Sequence, residues 1–416
     1  MINTKKQSII KPLRSLQRPL QTLQESFQNK KQLYFISFAF AFIFFGYNAS
    51  QQFIAGIYNS DGNKNIAFIS LAIVYSIFII SMIFAPLLIK KIGTKKAMLI
   101  STICYAFYPL AIAAKNIPFL YFASILVGLG AGTLWNGLNL HIVTISDKKE
   151  YGRNLGIFYF FLSLGSVLGI LITSALIEKV SLFSVMLMHT IMILASMIFI
   201  FLSKETVLPE NAIERNLLHV FKEKKIYLII AALLPIGTIG SLLYATFAVI
   251  VSQKLGLAAV GYVTLIGYIT PMLIPYISGR ISDNKSKEKI MFIAIIIGLA
   301  ALSLVYFSLF KEKTLLWGTL LGIFLLFTYS YTFKTVTNSL VADYFQNKNV
   351  GNALSIVETC NTAITAIFLL LNTILPGIII MYIVMIMIIC SLIPIIVLII
   401  QKEKEKKQTN KIQKIF

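Results

Sequence analysis

Ser203-Lys-Glu-Thr-Val-Leu-Pro-Glu-Asn-Ala-Ile-Glu-Arg-Asn-Leu-Leu-His-Val-Phe-Lys-Glu-Lys-Lys225 is the longest polar stretch between the first and last apolar runs of the chain, and what flanks it decides the fold. Before it lie apolar runs near residues 33–57, 66–89, 97–114, 118–144, 155–177 and 181–202. After it come runs near 226–252, 258–279, 290–310, 314–341, 351–374 and 376–400. Each approaches or exceeds the roughly 20 residues that a helix needs to cross about 30 Å of hydrocarbon. The chain therefore reads as an all-α polytopic membrane protein with twelve transmembrane helices in two six-helix halves. Residues 1–32 form a cytoplasmic N-terminal segment, 33–202 the first half, 203–225 a cytoplasmic linker, 226–400 the second half and 401–416 a basic cytoplasmic tail. Composition agrees: 57% of the 416 residues are hydrophobic, 13% are charged, and the mean hydropathy is +0.82. A water-soluble globular enzyme is excluded, because such a domain must cover itself with polar groups.

The net charge of +21 would suggest a nucleic-acid partner in a soluble chain, but here topology accounts for it. With the N-terminus in the cytoplasm, 30 of the 37 Lys and Arg residues fall in inside segments and 6 in outside connections. A missed span would invert that alternation, so both termini and the linker are placed inside. Basic residues there also meet acidic lipid head groups, making the bilayer a partner. Cys104, Cys360 and Cys390 lie in apolar runs and indicate neither a disulfide nor a zinc framework. No cleavable signal peptide is expected, since 32 mostly polar residues precede a first run too long for an h-region; that span is expected to stay as an anchor.

The halves echo one another. After the second span stands Pro86-Leu-Leu-Ile-Lys-Lys-Ile-Gly93-Thr-Lys95-Lys96, and after the eighth Gly279-Arg280-Ile-Ser-Asp283-Asn-Lys-Ser-Lys287. Both are short basic connections at equivalent places, as in a duplicated architecture. Gly279-x-x-x-Asp283 resembles the loop signature of the major facilitator superfamily. The first copy has Pro86 for the glycine and Lys90 for the acid, so the helix latch that the resemblance implies for the acid does not carry over to it.

Phe44-Phe-Gly-Tyr47-Asn48-Ala-Ser-Gln51 is similar to the first-span signature of a narrower group, the uncoordinated-93-like family of ion-channel regulatory proteins with the major facilitator fold. The likeness continues through Ile69-Ser-Leu71-Ala-Ile-Val-Tyr75, Phe84-Ala-Pro86-Leu-Leu, Ile92-Gly-Thr-Lys95, Gly128-Leu-Gly-Ala-Gly-Thr-Leu-Trp135-Asn136-Gly137 and Tyr151-Gly-Arg153-Asn154-Leu-Gly156-Ile-Phe158. It is concentrated over about residues 40 to 170; afterwards Gly261-Tyr262 and Gly279 to Asp283 are its anchors. Where relatives tend to carry Asn-Thr-Gln in the tenth span, this chain has Lys334-Thr335-Val336. The resemblance implies either regulation of potassium channels, escort of membrane receptors, or transport.

Ionisable side chains inside spans are costly and usually face a cavity or a partner. Lys334 and Glu358 stand 12 positions either side of Gln346, the centre of the hairpin turn between the tenth and eleventh spans. Helical rise puts them at similar depth, roughly 13 Å inside, so an ion pair is geometrically feasible. Asn338 is four residues after Lys334, and Asn361 three after Glu358, so each charge heads a polar stripe. Two readings stand: a pair for which an anionic substrate or a proton competes, or a static bridge that fixes two helices.

Asn48, Gln51 and Gln52 in the first span can contact a polar solute or a neighbouring helix. Trp135 and Asn139, one turn apart beside Asn136, could offer an aromatic platform with an amide. His141 is expected to reach interfacial water, and His189 to pack against a neighbour. The three histidines, His141, His189 and His219, lack carboxylates at metal-ligand spacing, and no metal site is expected. Gly128, Gly130, Gly132, Gly165 and Gly169 permit close helix contact, while Pro235, Gly237, Gly240, Pro271 and Pro275 can interrupt a helix. Leu13, Leu16, Leu20, Leu23 and Phe27 fit a short surface helix on the inner leaflet, though Pro12 and Pro19 leave disorder as the alternative. The run Lys402 to Lys414 reads as a solvated tail.

No Gly-x-x-x-x-Gly-Lys-Ser/Thr loop and no nucleophile–base constellation is present, so neither an ATP-driven pump, nor an enzyme, nor a cofactor is expected. The expectation is secondary transport of a small solute or ion by alternating access, with the cavity lined mainly by spans 1, 4, 7 and 10. Its alternative is a non-transporting regulator or trafficking partner of an ion channel or receptor. Convergence of the intramembrane polar groups on one cavity would favour the first.

Overall fold

A computed structural model describes residues 2–146, 151–205, 217–310, 315–345 and 350–413; for 2–27 and some other positions, Asp283 and Asn284 among them, it describes the backbone alone. Among the described residues, twelve helices are long and apolar enough to cross a membrane: α1 Gln28–Ser60, α2 Lys64–Ile92, α3 Thr94–Ala114, α4 Ile117–Ile145, α5 Arg153–Leu176, α6 Leu182–Leu202, α7 Lys224–Leu255, α8 Leu257–Ser282, α9 Lys287–Leu309, α10 Leu316–Tyr344, α11 Ala353–Ile374 and α12 Gly377–Lys402. There is no strand among the described residues. If all twelve cross, the two ends of the described residues lie on one side, here the terminus side.

Large apolar side chains such as Phe122, Ile198 and Phe201 point outward, as they must where hydrocarbon is the solvent. Polar groups turn inward and bond. Ser50 Oγ and Thr173 Oγ1 meet His189 Nδ1 and Nε2 at 2.9 and 2.8 Å, so this fully buried ring ties α1, α5 and α6 together. Within the first half α1 packs on α5 and α6, and α4 on α2 and α3; within the second, α10 packs on α8 and α9, and α11 on α7. Gly165 and Gly169 set the α5 face directly against the Ala41 and Phe45 carbonyls of α1, where a Cβ on either would collide with backbone. Close approach of this kind supplies the dispersion contact that hydrophobicity cannot supply in lipid.

Helix starts follow local chemistry. Asn116 Oδ1 accepts from Phe119 N at 2.9 Å to open α4, and Ser181 Oγ from Ser184 N at 3.1 Å to open α6. Two helices start differently. Gly93 and Gly256, with φ of 88° and 91°, each turn the chain directly from one helix into the next, a backbone state that favours glycine. In each case a distant glutamate accepts the amide two residues on: Glu205 takes Lys95 N at 3.0 Å, and Glu178 takes Ala258 N at 2.8 Å. The acid absent at Lys90 is thus matched at the start of α3 by one from the chain just beyond α6.

Proline effects are uneven. Pro271 and Pro275 sit inside continuous helix, and the Gly267 carbonyl that Pro271 cannot serve takes the Thr270 hydroxyl instead, at 2.7 Å. In α7 the irregularity comes after Pro235, Gly237 and Gly240, as a π-turn over Leu242–Phe247. Three expectations need correction. The leucine-rich N-terminal segment is no separate surface helix; its backbone continues α1 back to Ile2, although its side chains lie outside the described residues. Lys402 is not simply solvated: it pairs with Glu288 at 2.7 Å, a carboxylate only 1% exposed at the start of α9. His141 does not reach interfacial water either, being fully buried in α4.

Candidate functional site

Lys334 on α10 and Glu358 on α11 meet, with Nζ 2.8 Å from Oε1. The hairpin register that placed them at equal depth accounts for the meeting, although Gln346 itself lies outside the described residues. Lys334 stands five residues, or about 140°, round α10 from Tyr329, whose ring packs on Gly298 of α9. Because α9 packs within its own half, the lysine faces the other one, where Tyr159 of α5 lies within electrostatic reach. The side chains are 36% and 40% exposed despite their depth. Along the same stripe, Tyr331 is half-buried and Asn338, one turn nearer the terminus side than Lys334, is exposed.

The far side is shut. Besides Glu178 with Ala258, Gln253 Nε2 donates to Asn59 Oδ1 at 3.2 Å and Asn65 Nδ2 to the Thr373 carbonyl at 3.3 Å, joining the halves. Gly261 of α8 lies in the seam against Ser174, Phe53 and Ile170. Deeper in, Gln52 Nε2 donates to the Leu243 carbonyl at 3.3 Å, within the π-turn of α7, while its Oε1 accepts from the Tyr268 hydroxyl at 3.2 Å. Gln51 Nε2 donates to Tyr75 at 2.7 Å. Tyr244 lies within side-chain hydrogen-bonding reach of both Tyr75 and Tyr268, completing an uncharged belt across α1, α2, α7 and α8.

The remaining candidates disperse. Asn48 donates to Ser166 of α5 at 2.8 Å, a bond within the first half, while Gln51 turns to α2; the two amides do not share one ligand face. Trp135 sits among Phe40, Phe44 and Phe158, with centroids at 5.7, 5.5 and 6.5 Å. Asn136 donates to its own helix at Gly132, 2.8 Å away, and approaches Met82 of α2. Asn139 is exposed, one turn from Trp135. Asn361 Oδ1 is buried without a partner among the described residues, next to the close contact of α11 with Gly237.

In the loop motifs, Pro86 lies inside the α2 helix. Lys95 donates to the Ser203 carbonyl at 3.0 Å and lies over the Phe201 ring. Gly279 has open space, with only Thr335 within 4 Å of a Cβ built there. Arg280 lies 5.8 Å from the Tyr276 ring centroid. The side chain of Asp283 is outside the described residues. Sequence reasoning missed Tyr75, Tyr244, Tyr268, Glu178 and Glu205: tyrosines are common in spans, and the glutamates find their partners only through tertiary structure. Among the described residues no group of three or more metal-ligating side chains occurs.

Comparison with known proteins gives the context. "UNC93-like protein MFSD11" of Xenopus laevis is 30% identical over 122 residues, 29% of this chain and 27% of that protein. "Protein unc-93 homolog A" of Mus musculus is 29% identical over 162 residues, covering 36% of this chain and 35% of that one. The chain thus matches about a third of the length of these relatives. Among solved structures, a variant of the nucleoside transporter NupG superposes with a TM-score of 0.65 at 13% identity, over 89% of this chain and 98% of that one. A POT family transporter in complex with 5-aminolevulinic acid gives 0.71 at 12%, over 90% and 96%. Similarity that low shows a shared fold alone. The Major Facilitator Superfamily model matches residues 33–361, more than half of the sequence, and the chain belongs to that superfamily.

Proposed function

We propose that the chain is a secondary transporter that moves a small solute by alternating access, with Lys334–Glu358 as the pair that solute or proton engages. The observation that carries this reading is an ion pair set deep in the spans, turned toward the opposite half and more than a third exposed. A bridge serving only to hold two helices needs no such access. An anion that took the Lys334 ammonium would leave the Glu358 carboxylate deep in the spans without its counter-charge, and a proton on that carboxylate relieves the cost. Anion and proton are therefore expected to travel together. With the terminus side taken as cytoplasmic from the census of Lys and Arg, the closure of the far side supports an inward-facing reading.

Reconstitution into liposomes with a panel of labelled solutes and imposed ion gradients tests the proposal, since stoichiometric flux separates a carrier from a channel regulator or an escort. Flux should be lost in Lys334→Gln and lose its proton coupling in Glu358→Gln. Unchanged flux and coupling in both folded variants would remove the pair from the mechanism.

A further inference from the structure

On α8, Tyr262, Ile269, Leu273, Tyr276 and Arg280 recur at intervals of seven, four, three and four residues, which keeps them on one helical face. That face is bare: Leu273 is 60% and Tyr276 67% exposed, and Ile277 and Ile281 flank them. At membrane depth an exposed apolar stripe meets acyl chains. On the terminus side it ends in a surface recess of about 490 Å³ lined by Tyr276, Ile277, Arg280, Ile281 and Lys285. Two of these are cations, and none of the described lining residues is acidic. Arg280 lies over the Tyr276 ring near the terminus-side end of α8, the level at which an aromatic belt is expected to meet head groups.

We propose that this recess binds one anionic phospholipid of the leaflet on the terminus side. Arg280 and Lys285 take the phosphate, Tyr276 sits at the glycerol level, and an acyl chain follows Ile277, Leu273 and Ile269. A guanidinium offers five donors in a planar fork, enough to serve a phosphate besides any other partner. Free phosphate offers the same charge without the chain, and the apolar stripe favours the lipid. This inference does not depend on the transport reading.

The test is native mass spectrometry of the full chain in detergent, titrated with phosphatidylglycerol, with phosphatidylcholine of the same chains, and with inorganic phosphate. One phosphatidylglycerol should be retained preferentially, and millimolar phosphate should not displace it. Loss of each cation should weaken that preference by roughly fivefold, the effect of one basic residue near an acidic lipid surface. Lys285→Gln is the safer variant because it lies past the membrane span; Arg280→Gln is paired with it, and Lys91→Gln, at the corresponding connection of the first half, is the control. Equal retention of the two lipids, displacement by inorganic phosphate, or an equal loss in Lys91→Gln would each overturn the proposal.

Discussion

Gly261→Ala is the sharpest perturbation of the proposed cycle, because the added methyl falls entirely on the seam between the halves. A Cβ there overlaps Ser174 Oγ and comes within 2.7 Å of Phe53 Cζ and 3.1 Å of an Ile170 methyl. Ordinary contact needs about 3.5–4 Å, so several groups must retreat together. Ser174 is not free to swing at no cost, since its hydroxyl bonds the Ile170 carbonyl at 2.9 Å. Overpacking of this kind costs about 1–3 kcal/mol. Every clashing group belongs to the first half, whereas Gly261 belongs to the second, so the cost falls on the state with the far side closed. The population open on that side should rise about 5- to 150-fold, with either half left intact. The assay is the rate at which an impermeant maleimide, added on the far side, labels Ser252→Cys, a position on α7 that faces Gly56 of α1 across the boundary between the halves. Ser174→Ala in the Gly261→Ala background should restore part of the closure. A folded Gly261→Ala protein whose labelling rate equals that of the parent would refute the argument.

Three other outcomes follow from the contacts described. Glu178→Gln keeps a weaker acceptor for the start of α8 and should raise far-side labelling by about fivefold, the effect of losing roughly 1 kcal/mol of charge-assisted bonding. Lys402→Gln should lower stability by about 1–3 kcal/mol, since it strands the buried Glu288 carboxylate; adding Glu288→Gln should recover much of the loss in a thermal melt. Gly165→Ala or Gly169→Ala pushes a methyl into the α1 backbone, and the folded yield in detergent should fall sharply, by the equivalent of about 2 kcal/mol or more.

Span number and the two halves were legible because hydrophobic length and charge alternation are local quantities. The meeting of Lys334 with Glu358 was legible for a related reason: a hairpin fixes depth by counting, and an unpaired charge has few alternatives in lipid. Ligand faces were harder to read. Asn48 and Gln51 are close enough in sequence to point at one solute, yet each met a different neighbouring hydroxyl first, and the packing of α2 and α5 against α1 made that choice. Trp135 likewise had aromatic neighbours from α1 and α5 that periodicity could not foresee. The basic run after α12 read as solvent-exposed because the buried acid that captures Lys402 lies 114 positions away.

The twin glycine junctions have unequal fates in any cycle that parts the halves. At Gly93 both members of the bond travel in one rigid body, so it behaves as a rivet. At Gly256 acid and amide come from opposite bodies, and the same local chemistry becomes a clasp that must be undone and remade at every turnover. Similar local chemistry at two non-equivalent connections would thus supply permanence at one end of the molecule and a recurring toll at the other.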